Sequence, residues 1–308
     1  MVSRKLSMRT VLCSKIAALA AAAVFAAVII SSCATYAGGW SSLSEAVAAT
    51  RSALGTPALS AAVFDSESIL EHVTIGTISL ASDLQAGSDS RWHIGSCTKA
   101  MTSALVGRLA DSGVIGFSTT IGEVYSAESI DPLFSPVTLS DLLRHHGGVT
   151  GALYKSHPEL WQELWLRASE DQPALRRSTA LSILEGPPNQ KPGKYTYSNA
   201  GVIIAGAMME ETAAESWETL MYQELFGPLD MASAGFGAAG KDEPWPHRWE
   251  AGTLVPVDPD QAGSDNPPGL GPAGTVHVSL PDWIKFLQVF IGGGPDGFLS
   301  STAQQELL

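Results

Sequence analysis

The chain has 308 residues, 45% hydrophobic and 16% charged, with 30 Gly and 18 Pro. That is enough for one large domain or two small ones, and it excludes a disordered or collagen-like chain. Its 18 basic and 31 acidic residues give a net charge of −13, which leaves no electrostatic footprint for a phosphate backbone and excludes nucleic acid as a partner.

Charge is segregated along the chain. Residues 1–32 hold Arg4, Lys5, Arg9 and Lys15 and no acid, so the remainder carries 14 basic against 31 acidic residues. This basic stretch and the apolar run Ile16 to Ile30 have the layout of a secretory n-region and h-region. The run is shorter than the ~17–25 residues of a spanning helix. It ends in Ile30-Ser31-Ser32-Cys33, which resembles the bacterial lipobox. The resemblance implies a lipoprotein signal peptide over 1–32, lipidation of Cys33 as a membrane anchor, and an exported protein in the periplasm or at the cell surface. Ala34 after Cys33 favours the outer membrane where the source has one. An uncleaved signal anchor is the alternative, and both readings export the body of the chain. In the mature form only Cys97 is left as a free thiol, so no intrachain disulfide forms.

Residues 33–41 are short, small and Gly-containing, a tether. From Ser42 to Leu54 the pattern predicts an amphipathic helix closed by Gly55. Ala58 to Phe64 and Leu70 to Ser79 predict a hairpin around Asp65-Ser66-Glu67-Ser68, which needs further strands for stability. Ser96 to Ser112 predicts a helix with Met101, Leu105 and Leu109 on one face and Gly113 as its stop. Further helices are predicted over Leu139 to His145, Glu159 to Ala168, Thr179 to Leu184, Ala200 to Glu215, Trp217 to Leu225 and Asp282 to Ile291. Lys241 to Gly271 is Pro/Gly-rich without periodicity and too long for a simple connection. The order implies an α/β (α+β) domain over 42–308: an antiparallel sheet flanked by helices, with an all-helical region inserted after the first strands.

Ser96-Cys97-Thr98-Lys99 is the only S-x-x-K in the chain. A spacing of three on a helix puts the Lys amine on the face of the Ser hydroxyl, and a helix start offers free N–H groups to an oxyanion. Ser96 as a plain N-cap is the competing reading. Tyr197-Ser198-Asn199 follows a Lys191-Pro192-Gly193 turn and precedes an apolar run, placing Tyr197 on a loop at a helix mouth. A phenol, with a free pKa of about 10, serves as a base near neutrality only beside a cation such as Lys99. A Tyr that packs a helix start, with Asn199 as cap, is the competing reading.

Together these motifs resemble the β-lactamase-related serine hydrolases: class C β-lactamases, D-aminopeptidases and esterases of the penicillin-recognising fold. The resemblance runs from about Thr56 to Leu308. It includes Trp92-His93-Ile94-Gly95 before Ser96, the stretch from Leu139 to Gly148 (LSDLLRHHGG), Gly193 to Gly201 (GKYTYSNAG), Pro228-Leu229-Asp230-Met231, and Pro272 to His277 followed by Asp282-Trp283. It implies a β-lactamase/transpeptidase-like fold in which Ser96 attacks a carbonyl. Tyr197, assisted by Lys99, moves the proton, Asn199 orients Lys99 and the acyl side chain, and no cofactor or metal takes part. The implied partner is a small-molecule or peptide acyl substrate: a β-lactam, a D-amino peptide or an ester.

Three positions depart from the pattern: Gly147 for Ser, Asp230 for Gly, and Pro246 where the nearest branch often has Gly. The family's third motif, K-T-G or H-x-G on a late strand, is not reached by Leu308, so the domain is expected to be incomplete, with late strands missing, and to be inactive or nearly so alone. A non-catalytic envelope lipoprotein of the same fold and an inactive fragment are the rival readings. The seven His include no H-E-x-x-H, so no metal site is expected. His145 is expected to be buried and structural, Cys97 a small buried side chain, and Trp161, Trp165 and Trp217 core residues.

Overall fold

A computed structural model describes residues 39–308. The signal peptide expected over 1–32, Cys33 and most of the tether lie outside the described residues. The chain divides into two units after Ala46, and the second, Val47–Leu308, holds every described strand together with Ser96, Lys99 and Tyr197. Among the described residues no helix is long and apolar enough to cross a membrane.

Helix α1 (Leu43–Leu54) ends at Gly55, whose φ of +64° is a left-handed stop that suits glycine. Strands β1 (Ala58–Phe64) and β2 (Ile69–Gly76) form the expected antiparallel hairpin, with a register shift between Val63 and Phe64. Asp65 closes the turn by accepting the Glu67 and Ser68 N–H groups. Among the described residues β1 and β2 pair only with each other.

A second sheet is the one that matters for the site. Strand β3 (Arg91–His93), then β4 (Gly235–Phe236) and β7 (Val276–Ser279), form a three-stranded antiparallel sheet in the order β3-β7-β4. Strands of two to four residues carry too little alternation to be seen in sequence. The Pro/Gly-rich stretch from Lys241 also hides a hairpin, β5 (His247–Glu250) with β6 (Thr253–Pro256). Its turn is Ala251-Gly252, both at positive φ, and its outward Trp249 is 71% exposed, so no apolar face marks it.

The inserted region is helical, as expected. Helix α2 (Thr98–Asp111) buries Met101, Leu105 and Leu109, and Gly113 at φ +74° follows it. Next come α3 (Ile121–Val124), α4 (Leu139–Leu143), α5 (Leu153–Ser156), α6 (Pro158–Leu166) and α7 (Gln172–Leu184). Helix α7 begins seven residues before the expected start. Asp171 caps it by accepting the Ala174 N–H, and of its early charged residues Arg176 faces inward while Arg177 stays partly exposed. Helix α8 (Asn199–Ala213) is buried on all sides from Ala200 to Glu210 and forms the centre of the core, packed on α7, α4 and the short helix α10 (Gly271–Gly274). Helix α9 (Trp217–Met221) runs into a wider π-turn over Tyr222–Phe226. Helix α11 (Leu280–Gln288) packs on β1, and α12 (Ser301–Leu307) packs on α2.

Arg176 of α7 is wholly buried and carries its own partners. It forms ion pairs with Glu210 of α8 at 2.5 Å and Glu218 of α9 at 2.7 Å, and Glu210 also accepts the Trp217 N–H. Three helices are thereby tied by one guanidinium fork. Trp217 is fully buried against Phe236, as expected. Trp161 and Trp165 of α6 are both half-buried and pack edge to face on each other at 6.1 Å; Trp161 packs against the core as expected, and Trp165 is not part of it.

Two of the three departures acquire a physical reason. Asp230 sits at φ +52°, which explains why glycine suits this position, and Lys285 donates to its carbonyl and pairs with its carboxylate. At Gly147 a Cβ would stand 2.7 Å from the end of the Leu142 side chain, so a serine here would have to displace that leucine. Nothing in the structure explains Pro246.

Candidate active site

Strand β3 and helix α2 are joined by a tight elbow. Ile94 N–H donates to Val276 O of β7, Gly95 turns at φ +52°, and Gly95–Cys97 form a single 3-10 turn. Ser96 therefore stands in that turn rather than in the first α-helical turn, exposed at the edge of the sheet. The S-x-x-K spacing still brings its lysine round. Lys99 Nζ lies 3.2 Å from Ser96 Oγ and donates to the Ala273 carbonyl at 2.6 Å.

Tyr197 reaches the same oxygen from across the cleft, its hydroxyl donating to Ser96 Oγ at 2.7 Å. The loop that delivers it is bound to the turn after α4. His145 O accepts the Thr196 N–H, His146 O accepts the Gly193 N–H, and His145 Nδ1 accepts the Ser198 N–H. Ser198, not Asn199, caps α8: its hydroxyl accepts the Gly201 N–H and donates to Thr150 O. The stretch from Leu139 to Gly148 is thus a bracket for the Tyr197 loop. Its corner needs left-handed backbone at His145 (φ +62°) and Gly148 (φ +75°).

Burial acts on the two proton carriers in opposite directions. It pulls the Lys99 ammonium down to about 8, and it pushes the Tyr197 phenol up. The lysine Nζ lies over the face of the Tyr197 ring, 4.9 Å from its centroid, rather than beside the hydroxyl. Burial thus favours the neutral form of both groups, and the lysine meets the ring face of Tyr197 and not its oxygen. Asn199 also departs from expectation. Its Oδ1 is buried without a hydrogen-bond partner, and the Ala273 carbonyl orients the lysine instead. Ala273 offered no signal in sequence because a backbone carbonyl is independent of residue type.

His145 is half-buried rather than buried, with its ring 4.5 Å from that of Tyr197. Burial, then the charges of Lys99 and His146, hold its imidazole down at about 4. Because the unfolded chain takes up the proton first, near pH 6.5, the neutral ring stabilises the fold above that pH, and this contribution is lost as pH falls towards 4. We expect the melting temperature to fall less steeply across that window in His145→Asn, which tolerates the left-handed backbone; parallel pH-melting curves check it. Cys97 is half-buried rather than fully buried. Burial pushes its thiol up, which disfavours the thiolate beside Ser96. Among the described residues no group of three His, Cys, Asp or Glu could hold a metal ion.

Comparison with known proteins agrees with this fold. The Beta-lactamase family matches residues 43–307. The chain is similar to Penicillin-binding protein 4 of Amycolatopsis lactamdurans, 24% identical over 242 residues that cover 74% of this chain and 58% of that protein. Among solved structures it is similar to the octameric penicillin-binding protein homologue from Pyrococcus abyssi, with TM-score 0.67, 20% identity, and 85% of this chain and 57% of that one covered. It is also similar to the D-amino acid amidase from Ochrobactrum anthropi, with TM-score 0.63, 19% identity, and 84% and 71% covered. The chain thus spans a little over half the length of the first two relatives. The fold and the match over 43–307 show that this chain belongs to the beta-lactamase family.

Proposed function

We propose that this protein is a serine hydrolase that cleaves an amide or ester through an acyl-enzyme. The observation that carries the proposal is the convergence of the Tyr197 hydroxyl and the Lys99 amine on one exposed oxygen, Ser96 Oγ, at 2.7 and 3.2 Å. In the reacting form Tyr197 O–H donates to Ser96 Oγ, Ser96 O–H donates to the neutral Lys99 amine, and Lys99 donates to Ala273 O. Ser96 Oγ bonds to the substrate carbonyl carbon and its proton passes to Lys99. The tetrahedral oxyanion is stabilised at the helix start, with the Ser96 N–H as one donor. As the bond to the leaving group breaks, the proton returns through the Tyr197 hydroxyl to the departing nitrogen or oxygen. Water, activated by the same pair, then releases the acyl group. β-Lactams, D-amino peptides and esters all suit this chemistry, and the family resemblance assigns Asn199 to orienting the acyl side chain.

Labelling with a fluorophosphonate or a penicillin tests the proposal. Ser96→Ala is expected to abolish the covalent adduct and Cys97→Ala to leave most of it. The opposite pattern would assign the nucleophile to Cys97, and a folded protein with no adduct would favour a non-catalytic role.

Export as a lipoprotein belongs to the same proposal. It is supported by the basic n-region, the apolar run and the Ile30-Ser31-Ser32-Cys33 tetrad. The mature protein should begin at a diacylated Cys33 and partition with membranes. Mass spectrometry of the N-terminus checks this, and Cys33→Ser should abolish both properties.

A further inference from the structure

The elbow before Ser96 and the carbonyl that holds Lys99 belong to different parts of the chain, yet one chain of hydrogen bonds joins them. His93 Nδ1 accepts the Gly95 N–H at 3.1 Å, which places the ring proton on Nε2, and Nε2 meets Asp265 Oδ1 at 2.6 Å. The same carboxylate oxygen accepts the Asn266 N–H at 2.6 Å. Asn266 Nδ2 then donates to Gly274 O at 2.8 Å, one residue beyond the Ala273 carbonyl that accepts from Lys99. The circuit closes through Lys99 and Ser96.

The enclosed space is tight. A Cβ on Gly274 would stand 3.3 Å from Asn266 Nδ2 and 3.7 Å from Gly95 O, so the two backbone segments nearly touch. From the other side, Thr102 Oγ1 donates to Pro272 O at 2.7 Å and Val276 N–H donates to Thr98 Oγ1 at 3.2 Å. Helix α2 therefore grips this turn along its inner face, and the His93–Asp265–Asn266 chain grips it along the outer face. The Asp265 side chain is only 12% exposed, so its end of the chain is sheltered from water, while His93 at the other end is exposed.

We propose that His93, Asp265 and Asn266 are positioning residues that set the distance between Ser96 and Lys99. They tie the Gly95 elbow to the Ala273–Gly274 peptide without touching the substrate carbonyl. The inference rests on the hydrolase reading above for its consequence, though not for its geometry. A displacement of about 1 Å between reacting groups can cost about 10²-fold in rate, and a circuit of fixed bonds prevents it.

The test is saturation kinetics of fluorophosphonate labelling at Ser96 in the full chain, which separates the maximal labelling rate from reagent binding. Asp265→Ala and Asn266→Ala should lower the maximal rate by about 10- to 100-fold and leave reagent binding within about twofold. Asp265→Asn should recover most of the rate, because its amide oxygen still accepts from His93 and from the Asn266 N–H. A second readout needs no reaction at Ser96. Acetic anhydride modification of Lys99, followed by mass spectrometry across pH, should give a midpoint of about 8 in the unaltered protein. That midpoint should rise towards the ordinary lysine range in Asp265→Ala and Asn266→Ala, as the turn loosens and water reaches the amine. Folded Ala variants with the unaltered labelling rate and an unmoved Lys99 midpoint would overturn the inference. If the unaltered protein takes no label at Ser96, the hydrolase reading fails, and the lysine titration alone decides whether the circuit positions Lys99.

Discussion

Replacing Lys99 with Ala is expected to slow acylation of Ser96 by about 10²–10⁴-fold, the usual scale for a positioned proton-transfer group. In the unaltered protein the acylation rate should climb with pH through about 8, as the buried amine loses its proton. Lys99→Ala should remove that limb. Tyr197→Phe should lower the rate on a similar scale while keeping the limb, because the phenol donates to Ser96 Oγ but burial keeps it from ionising. Stopped-flow acylation by a chromogenic ester across pH separates the two. A limb that disappears in Tyr197→Phe and survives in Lys99→Ala would return the base role to Tyr197. Linkage sets the sign for stability as well. The unfolded chain holds its lysine proton up to about pH 10.4 and the folded chain only to about 8, so stability should rise with pH between them.

The largest effect on folding is expected at Arg176. Its guanidinium has no solvent exposure, and Glu210 beside it has 5%. Arg176→Ala leaves a buried carboxylate whose remaining hydrogen bond is to the Trp217 N–H, and breaking such a pair typically costs about 3–5 kcal/mol. Arg176→Met with Glu210→Leu removes both charges and fills the space, so it should recover much of that loss. Urea unfolding of the single and double variants checks both statements. A double variant as unstable as Arg176→Ala would mean that the link to Glu218 and α9, rather than the buried charge, carries the stability.

The sequence showed the chemistry better than it showed the scaffold. Ser96, Lys99 and Tyr197 were visible because the S-x-x-K and Y-S-N motifs specify side chains, and the structure brings all three to one oxygen. What eluded the sequence is carried by backbone atoms or by very short elements. The Ala273 carbonyl that holds Lys99 has no residue code, and β3, β4 and β7 are too short to show a period of two. Buried charge misled in another way. The helix expected over Thr179 to Leu184 omits the first half of α7, where Arg176 and Arg177 interrupt an apolar pattern, yet Arg176 faces inward to Glu210 and Glu218. The His145 corner was legible only as a motif, and its purpose became plain once its carbonyl and ring nitrogen were seen to carry the Tyr197 loop.

Gly206, in the middle of α8, has Pro272 pressed against the place where a side chain would begin: a Cβ there would lie 2.5 Å from Pro272 Cγ. Helix α8 starts two residues after Tyr197, and the turn containing Pro272 holds Lys99 through Ala273 and helix α2 through Thr102. The absent methyl is thus a gauge for the cleft. One added carbon at 206, remote from any substrate, would act as a shim that drives the lysine's anchor away from the helix beneath the tyrosine, so the spacing of the reactive trio is machined partly by an atom that is not there.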